Sequence, residues 1–91
     1  MVNRNKYDIF AKMLKICEKG ANKTNLMYDA RVNYPVLETF LNELISTGLI
    51  EVQKRQNRNI YFSSESGRKY LQHFNLVREL VSKSRALQKP W

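Results

Sequence analysis

Apolar residues recur at helical spacing near the beginning of the chain. A helix over residues 4–19 is predicted, with Asn3 or Asn5 as its cap and Gly20 at the left-handed position that ends many helices. Its inward face follows the i, i+3, i+4, i+7 spacing of an amphipathic helix and comprises Phe10, Met13, Leu14 and Cys17.

Two further helices are predicted between residues 22 and 48. The second is short and runs from its cap, Asn22, to about residue 31; its inward side chains are Leu26, Met27 and Ala30. The third covers residues 34–47, after the cap Asn33, and ends at Gly48. Pro35 fits its first turn, where a missing N–H has no intrahelical partner. Its apolar face comprises Leu37, Phe40, Leu41, Leu44 and Ile45.

A change from helical spacing to alternation marks residues 50–62, IEVQKRQNRNIYF. Ile50 and Val52 in the first half, and Ile60 and Phe62 on either side of Tyr61 in the second, predict a half-buried hairpin. The turn is placed at residues 54–59, where asparagines tolerate positive φ. It carries three positive charges and no negative one, which a tight turn does not require.

Serine hydroxyls in residues 63–67 are predicted to cap a last helix over residues 65–88. The order α-α-α-β-β-α, with a basic hairpin after two short helices, predicts a mainly α (α+β) winged helix-turn-helix. Residues 1–71 would form this domain, and residues 72–91 the distal part of an extended C-terminal dimerisation helix.

This last helix has an apolar band that a compact winged domain cannot bury alone. We expect it to join two copies as a homodimer, most simply through an antiparallel coiled coil. The alternative is that the helix folds back over its own domain. The residues expected at the dimer contact are Phe74, Val77, Leu80, Val81 and Leu87.

The charge balance points to a polyanionic partner. Sixteen Lys and Arg residues against eight Asp and Glu residues give a net charge of +8 in a chain of 91 residues, which favours double-stranded DNA. The phosphate contacts are expected at Lys23, Arg31, Lys54, Arg55, Asn57 and Arg58. Lys6, Lys12, Lys15 and Lys19 are interpreted as a solvated helix face.

The third helix is expected to discriminate bases only modestly. It contains Glu38 and Glu43 but no Lys or Arg, the residues that most often contact guanine. Asn33 and Tyr34 would bring its first turn to the backbone, and Thr39 and Asn42 would face the groove. Its acidic character leaves open an alternative function as a protein–protein interaction module.

Other classes of function find little support in the sequence. The single cysteine, Cys17, and the single histidine, His73, cannot form a disulfide or a zinc site. There is no Gly-rich phosphate loop or nucleophile–base pair, so we expect no enzyme, cofactor or metal.

No apolar run approaches the roughly 20 residues that span a bilayer, and MVNRNKYD is not a signal peptide. We therefore expect a cytoplasmic, nucleoid-associated protein.

A larger pattern extends across most of the chain. Its elements are Lys23-Thr24, Leu26-Met27-Tyr28, Ala30, Asn33-Tyr34, Leu41, Leu44, Gly48-Leu49-Ile50 and Ser64-Glu65-Ser66-Gly67. The pattern resembles that of small archaeal winged-helix proteins, and most of all the crenarchaeal "ten-a" group of chromatin-associated DNA-binding proteins, which are dimers joined through a long C-terminal helix. This resemblance implies an architectural or regulatory DNA binder that dimerises through residues 65–88. Ser63 departs from the pattern, which has an apolar residue there, and this predicts a frayed end of the second strand.

Overall fold

The computed structural model describes residues 5–87, and side chains are described as far as residue 82. Four helices and one two-stranded antiparallel sheet follow each other in the predicted order, which confirms the winged-helix fold. The elements are α1 Lys6–Ile16, α2 Lys23–Ala30, α3 Tyr34–Ser46, β1 Ile50–Arg55, β2 Arg58–Ser63 and α4 Glu65–Leu87.

Three asparagines fix where the first three helices begin. The side-chain oxygens of Asn5, Asn22 and Asn33 accept hydrogen bonds from backbone N–H groups three residues later, at 2.9, 2.8 and 3.0 Å. Each bond satisfies a donor that a helix start otherwise leaves without a partner. The predicted caps of α2 and α3 are confirmed, and Asn5 is the cap of α1.

The end of α1 differs from the prediction. The helix stops at Ile16 with Cys17 as its C-cap, so the expected role of Gly20 as the closing residue is wrong. Gly20 has a φ of 90° and lies under the ring of Phe62, where an added Cβ would be 2.6 Å from a ring carbon. Glycine suits this position because of its positive φ and because the side chains of Phe62 and Ile60 cover it.

The core lies where α1, α2 and α3 meet the base of the hairpin. All four apolar residues assigned to the inward face of α1 are buried, and Leu37, Leu41 and Leu44 of α3 are at most 1% exposed. Phe40 and Ile45 are only half-buried. Burying a leucine of this kind contributes roughly 1.5–3 kcal/mol. The largest fully buried side chains among the described residues are Met13, Leu14, Cys17, Leu26, Leu37, Leu41, Leu44 and Ile50.

The hairpin has a tighter turn than the sequence predicted. β1 and β2 are joined by Gln56 and Asn57 alone, with φ values of 51° and 64°. Positive φ at both central residues is the signature of a type I′ turn. The predicted turn at residues 54–59 is therefore too long, and Asn59 lies within β2.

This turn also sets which side chains face inward. Ile50 pairs with Ser63 and Val52 with Tyr61, so Tyr61 lies on the inner face, whereas Ile60 and Phe62 lie on the outer one. Ile60 and Phe62 are half-buried and lie against Gly20, whereas Tyr61 and Ser63 are the buried residues of β2. Their alternation follows from the opposite faces that successive strand residues occupy.

The hairpin is attached firmly to the rest of the domain. Ala21 and Tyr61 exchange two backbone hydrogen bonds of 3.0 and 2.8 Å. Ser63 is 5% exposed; its hydroxyl donates to the carbonyl of Leu14 at 2.5 Å and its N–H to that of Cys17 at 3.0 Å. The expected fraying of this strand end is therefore wrong, because a buried serine replaces apolar packing with hydrogen bonds.

The last helix begins inside the domain and then leaves it. The Ser64 hydroxyl accepts from the N–H of Gly67 at 3.1 Å and donates to the carbonyl of Gly48 at 2.6 Å. Leu71 is 6% exposed and is the last buried residue of α4 for which burial is described. The chain extends 58 Å along its longest axis, so the described part of α4 does not fold back over the domain. The division into residues 1–71 and 72–91 stays a prediction.

Candidate nucleic-acid interface

The tip of the hairpin concentrates positive charge away from the core. Every residue from Glu51 to Asn59 is exposed, and Arg55 lies directly opposite Arg58 in the register. Like charges at opposed positions destabilise a sheet. Their placement costs folding free energy and therefore suggests a selected role outside folding.

Arg55 is held along the outer face of the hairpin. Its Nη2 atom donates to Oε1 of Gln53 at 3.0 Å, and its guanidinium lies 5.1 Å from the centroid of the Phe62 ring. A guanidinium that stacks on a ring keeps its charge and its remaining donors. The arginine is thus partly oriented before any partner binds.

Arg58 shares a cleft with the beginning of α2. The cleft has a volume of about 360 Å³; Arg58, Asn59 and Tyr61 line one side and Asn22, Lys23 and Thr24 the other. The structure thereby brings together Lys23 and Arg58, which the sequence predicted as separate phosphate contacts. The first N–H groups of α2 add the positive end of a helix dipole.

Lys23 has an additional partner that the sequence did not reveal. Its Nζ atom forms an ion pair with Oε2 of Glu38 on α3 and lies 6.0 Å from the centroid of the Tyr34 ring. The hydrogen bond from Lys23, with a smaller contribution from Tyr34, lowers the pKa of Glu38, and the same bond raises the pKa of Lys23. Both pKa shifts favour the charged form of their group, so the carboxylate and the ammonium group are both charged near neutral pH.

A second ion pair joins α1 to α3. Nζ of Lys6 lies 2.8 Å from Oε2 of Glu43, and the hydrogen bond raises the pKa of the lysine. Lys6 nevertheless stays exposed, as expected of a residue on a solvated helix face. Both carboxylates of α3 are compensated by lysines from other helices. No spacing rule finds such pairs, because their members are distant in the sequence.

The outward face of α3 is uncharged. Pro35, Thr39, Asn42 and Ser46 are exposed. The hydroxyls of Thr39 and Ser46 donate to carbonyls of their own helix, each at 3.0 Å. Asn42 is the exposed residue of this face whose side-chain amide can pair with a base edge.

The remaining predicted contacts lie at the beginning of α3 or just before it, and in the hairpin turn. Asn33 caps the helix with its side-chain oxygen, and the Tyr34 side chain is 53% exposed beside Lys23. Arg31 ends α2 in the left-handed conformation with a φ of 59° and is exposed. Asn57 lies in the hairpin turn. The individual roles assigned to these residues stay predictions.

Residues 5–87 hold no group of three or more His, Cys, Asp or Glu side chains arranged to bind a metal ion. Within that range, too, none of the helices combines the length and the apolar character of a membrane span. Cys17 is buried, and burial raises the pKa of its thiol to about 12.

Solved structures share this fold. The DNA-binding protein Sso10a-2 from Sulfolobus solfataricus is similar over 91% of this chain and 90% of its own, with 27% identity and a TM-score of 0.77. A winged-helix DNA-binding protein from STIV is 19% identical over 87% of this chain and 92% of its own, with a TM-score of 0.70. The transcriptional regulator BldR from Sulfolobus solfataricus shares the fold over 86% of this chain and 60% of its own, with 19% identity and a TM-score of 0.73.

At the level of sequence, no curated protein matches the chain significantly. The structural similarities confirm the resemblance to small archaeal winged-helix proteins. The described architecture is also that of DNA-binding proteins and transcriptional regulators. Because the profile of the winged helix-turn-helix family matches residues 3–82, nearly the whole sequence, the protein belongs to that family.

Proposed function

We propose that the protein binds double-stranded DNA with weak sequence specificity and acts in chromatin organisation or transcriptional regulation, associated with the nucleoid in the cytoplasm. The observation that carries this proposal is the exposed hairpin tip, where Arg55 and Arg58 are opposed without a counter-charge between them in the strand register. A duplex would supply the missing negative charge.

Phosphate contacts would account for most of the affinity. Lys54, Arg55 and Arg58 project from the hairpin, and Arg58 faces the start of α2 across the cleft. A DNA backbone that follows this edge would meet side-chain cations and helix N–H groups in succession. Such contacts position a protein on DNA without reading its sequence.

Weak specificity follows from the chemistry of α3. The helix presents Thr39 and Asn42 outward and contains no Lys or Arg. Asparagine pairs well with adenine, but the commonest specific contact, Arg or Lys to guanine, has no candidate on α3. We infer a preference set by one or two amide contacts and by DNA shape.

Dimerisation through α4 completes the proposal. Leu76, Val77, Leu80 and Val81 are between 45% and 56% exposed and lie next to each other on the helix. Such a face on a helix that extends beyond its domain is complementary to itself across a two-fold axis. We infer an antiparallel pair of helices that carries one winged domain at each end. Phe74 packs partly on its own core, and the Leu87 side chain lies outside the described part.

A role as a protein-interaction module is less well supported. The reason to consider such a role is the acidic character of α3. In the structure, however, Glu38 and Glu43 are both paired with lysines. The carboxylates that would attract a basic partner, or repel a duplex, are already compensated within the domain.

The salt dependence of DNA binding tests the proposal. Affinity for a duplex of arbitrary sequence should fall linearly with salt on logarithmic axes, by roughly 0.9 in slope for each phosphate neutralised. The double variant Arg55→Gln/Arg58→Gln should flatten this slope by about two units. The matched control Lys12→Gln/Lys15→Gln removes the same charge from α1 and should leave the slope nearly unchanged.

Two results would contradict the proposal. Absence of DNA binding by the unaltered protein at low salt would remove DNA as the partner. Equal slopes for the hairpin variant and the control would show that the interaction follows net charge, and that the hairpin is not a contact.

A further inference from the structure

One buried side chain in the cleft between α2 and the hairpin has a polar group that the fold does not use. Tyr61 is 4% exposed, and its backbone N–H and carbonyl are both bonded to Ala21. Its hydroxyl forms no hydrogen bond with any residue of the described part of the chain. Residues 5–82 contain no fully enclosed side-chain oxygen or nitrogen without a partner, so this hydroxyl is open to solvent.

The hydroxyl reaches solvent through the cleft itself. Tyr61 lines this cleft of about 360 Å³ together with Lys23 and Arg58. The hydrogen bond to Glu38 is the main cause of the raised pKa of Lys23, but the Tyr61 phenol also contributes, so the phenol lies close to the ammonium group. A buried tyrosine hydroxyl usually has a partner within its own protein. Here the O–H donor is instead directed toward a space bordered by two cations.

The beginning of α2 adds backbone donors to the same cleft. Asn22 caps the N–H of Asn25, whereas the N–H groups of Lys23 and Thr24, the first two residues of the helix, have no hydrogen-bond acceptor within residues 5–87. The first N–H groups of a helix cannot be bonded inside it. The cleft is therefore complementary to an anion that accepts several hydrogen bonds.

We propose that this cleft holds one phosphodiester group of the DNA backbone and that the Tyr61 hydroxyl donates a hydrogen bond to it. The inference rests on the proposed function and adds a neutral, buried contact to the exposed cations of that interface. The non-bridging oxygens of a phosphodiester each accept more than one hydrogen bond. They can meet the hydroxyl and the α2 N–H groups while Lys23 and Arg58 supply charge.

Tyr61 would also fix the position of the duplex. Its ring is packed in the core and its backbone is tied to Ala21, so the hydroxyl has little freedom to move. Lysine and arginine side chains are long and lose conformational entropy when they are held by a ligand. A donor that is already in place avoids this cost, and it would set the register of the domain on the backbone.

Tyr61→Phe tests the contact, because it removes the hydroxyl and keeps the ring. Affinity for a labelled duplex of arbitrary sequence should fall about tenfold, since the lost hydrogen bond has a charged acceptor. The salt slope should not change, because no cation is removed. The midpoint of urea unfolding should not fall, because the hydroxyl has no partner within the described domain. The matched control is Tyr7→Phe, at a 59% exposed tyrosine that does not line the cleft; it should leave the affinity unchanged.

A double-mutant cycle shows whether Tyr61 and Arg58 hold the same phosphate. If they do, Tyr61→Phe combined with Arg58→Gln should weaken binding by clearly less than the product of the two single effects, because the phosphate has already lost its place when the second group is removed. The control cycle combines Tyr61→Phe with Lys54→Gln. This lysine carries the same charge on the hairpin but does not line the cleft, so the two effects should multiply.

The possible failures of the two proposals are distinguishable. If the protein binds DNA but Tyr61→Phe has no effect, or the same effect as Tyr7→Phe, the Tyr61 contact is overturned and the proposed function stands. Multiplicative effects of Tyr61→Phe and Arg58→Gln would also overturn the shared phosphate, and a lowered urea midpoint would assign the hydroxyl a role in folding instead. Absence of DNA binding by the unaltered protein would overturn both proposals.

Discussion

Lys23, the first residue of α2, is ion-paired with Glu38 of α3 and so closes the helix-turn-helix with a charged contact. The same lysine lines the cleft that contains Arg58. A phosphate in that cleft would compete with Glu38 for the ammonium group. The pair would therefore limit how strongly this edge of the domain attracts the proposed DNA partner.

Glu38→Gln should raise the affinity for DNA. The substitution removes a negative charge and releases Lys23 toward the cleft, so we expect binding about three- to tenfold tighter at low salt and a salt slope steeper by roughly one unit. The measurement is a fluorescence titration with labelled duplex at several salt concentrations. Glu43→Gln is the matched control, because it removes the same charge from α3 but releases Lys6, which does not line the cleft. If both variants gain equally, only net charge has changed; if Glu38→Gln weakens binding, the pair supports the interface.

The Glu38 carboxyl should titrate below its ordinary range. The hydrogen bond from Lys23 lowers its pKa, so the stabilisation from this pair is present above the pKa of an unfolded glutamate and is lost as pH falls through the lowered value. Carboxyl carbon shifts measured across an acid titration would show this directly. In Lys23→Gln the midpoint should rise toward the ordinary value. A midpoint that does not change would place the cause elsewhere.

The sequence predicted the helices well because each carries its own signals. Amphipathic spacing and an asparagine cap specify where α1 to α3 begin and which side is buried, and Asn22 and Asn33 act as predicted. These interactions are local, within three or four residues. Long-range partners such as Lys23 and Glu38 depend on how the helices are packed, and no periodicity encodes that.

The hairpin shows why strand faces are harder to predict. Residues 50–62 contain apolar residues at alternating positions on both strands, so more than one register fits. The type I′ turn at Gln56 and Asn57 selects the register in which Tyr61 and Ser63 are buried. Gln56 is an unusual residue for positive φ, and without a glycine the turn has no strong signal in the sequence.

Gly67→Ala should destabilise the fold, although alanine is normally the better helix former. An added Cβ would be 2.3 Å from the carbonyl oxygen of Leu49, a backbone atom that cannot move aside cheaply. We expect a loss of about 2–3 kcal/mol in the free energy of unfolding, against a gain of up to ~1 kcal/mol from helix propensity alone. Urea denaturation measures both. Ser66→Ala, at the exposed neighbouring position, should stay within about 0.5 kcal/mol. If Gly67→Ala were more stable than the unaltered protein, the close approach of α4 to Leu49, the residue before β1, would be contradicted.

The thiol of Cys17 should be almost unreactive in the folded protein. It is fully buried, and burial raises its pKa to about 12, so very little thiolate exists near neutral pH. Alkylation by iodoacetamide, followed by mass spectrometry, should be slow in buffer and fast in denaturing urea. Rapid modification under native conditions would show that the part of the core around the end of α1 opens readily to solvent.

Val77→Glu/Val81→Glu should convert a dimer into monomers. Both side chains lie on the exposed apolar face, at 56% and 45% exposure, and a two-fold contact would place four carboxylates in one apolar seam. Sedimentation equilibrium measures the mass. Gln72→Glu/Ser82→Glu adds the same charge at exposed polar positions of α4 and should leave the dimer intact. If the unaltered protein is already monomeric at micromolar concentration, the exposed face serves another purpose. If the dimer exists and separates as expected, DNA affinity should fall more than the added charge explains, because two linked winged domains bind a duplex more tightly than either alone.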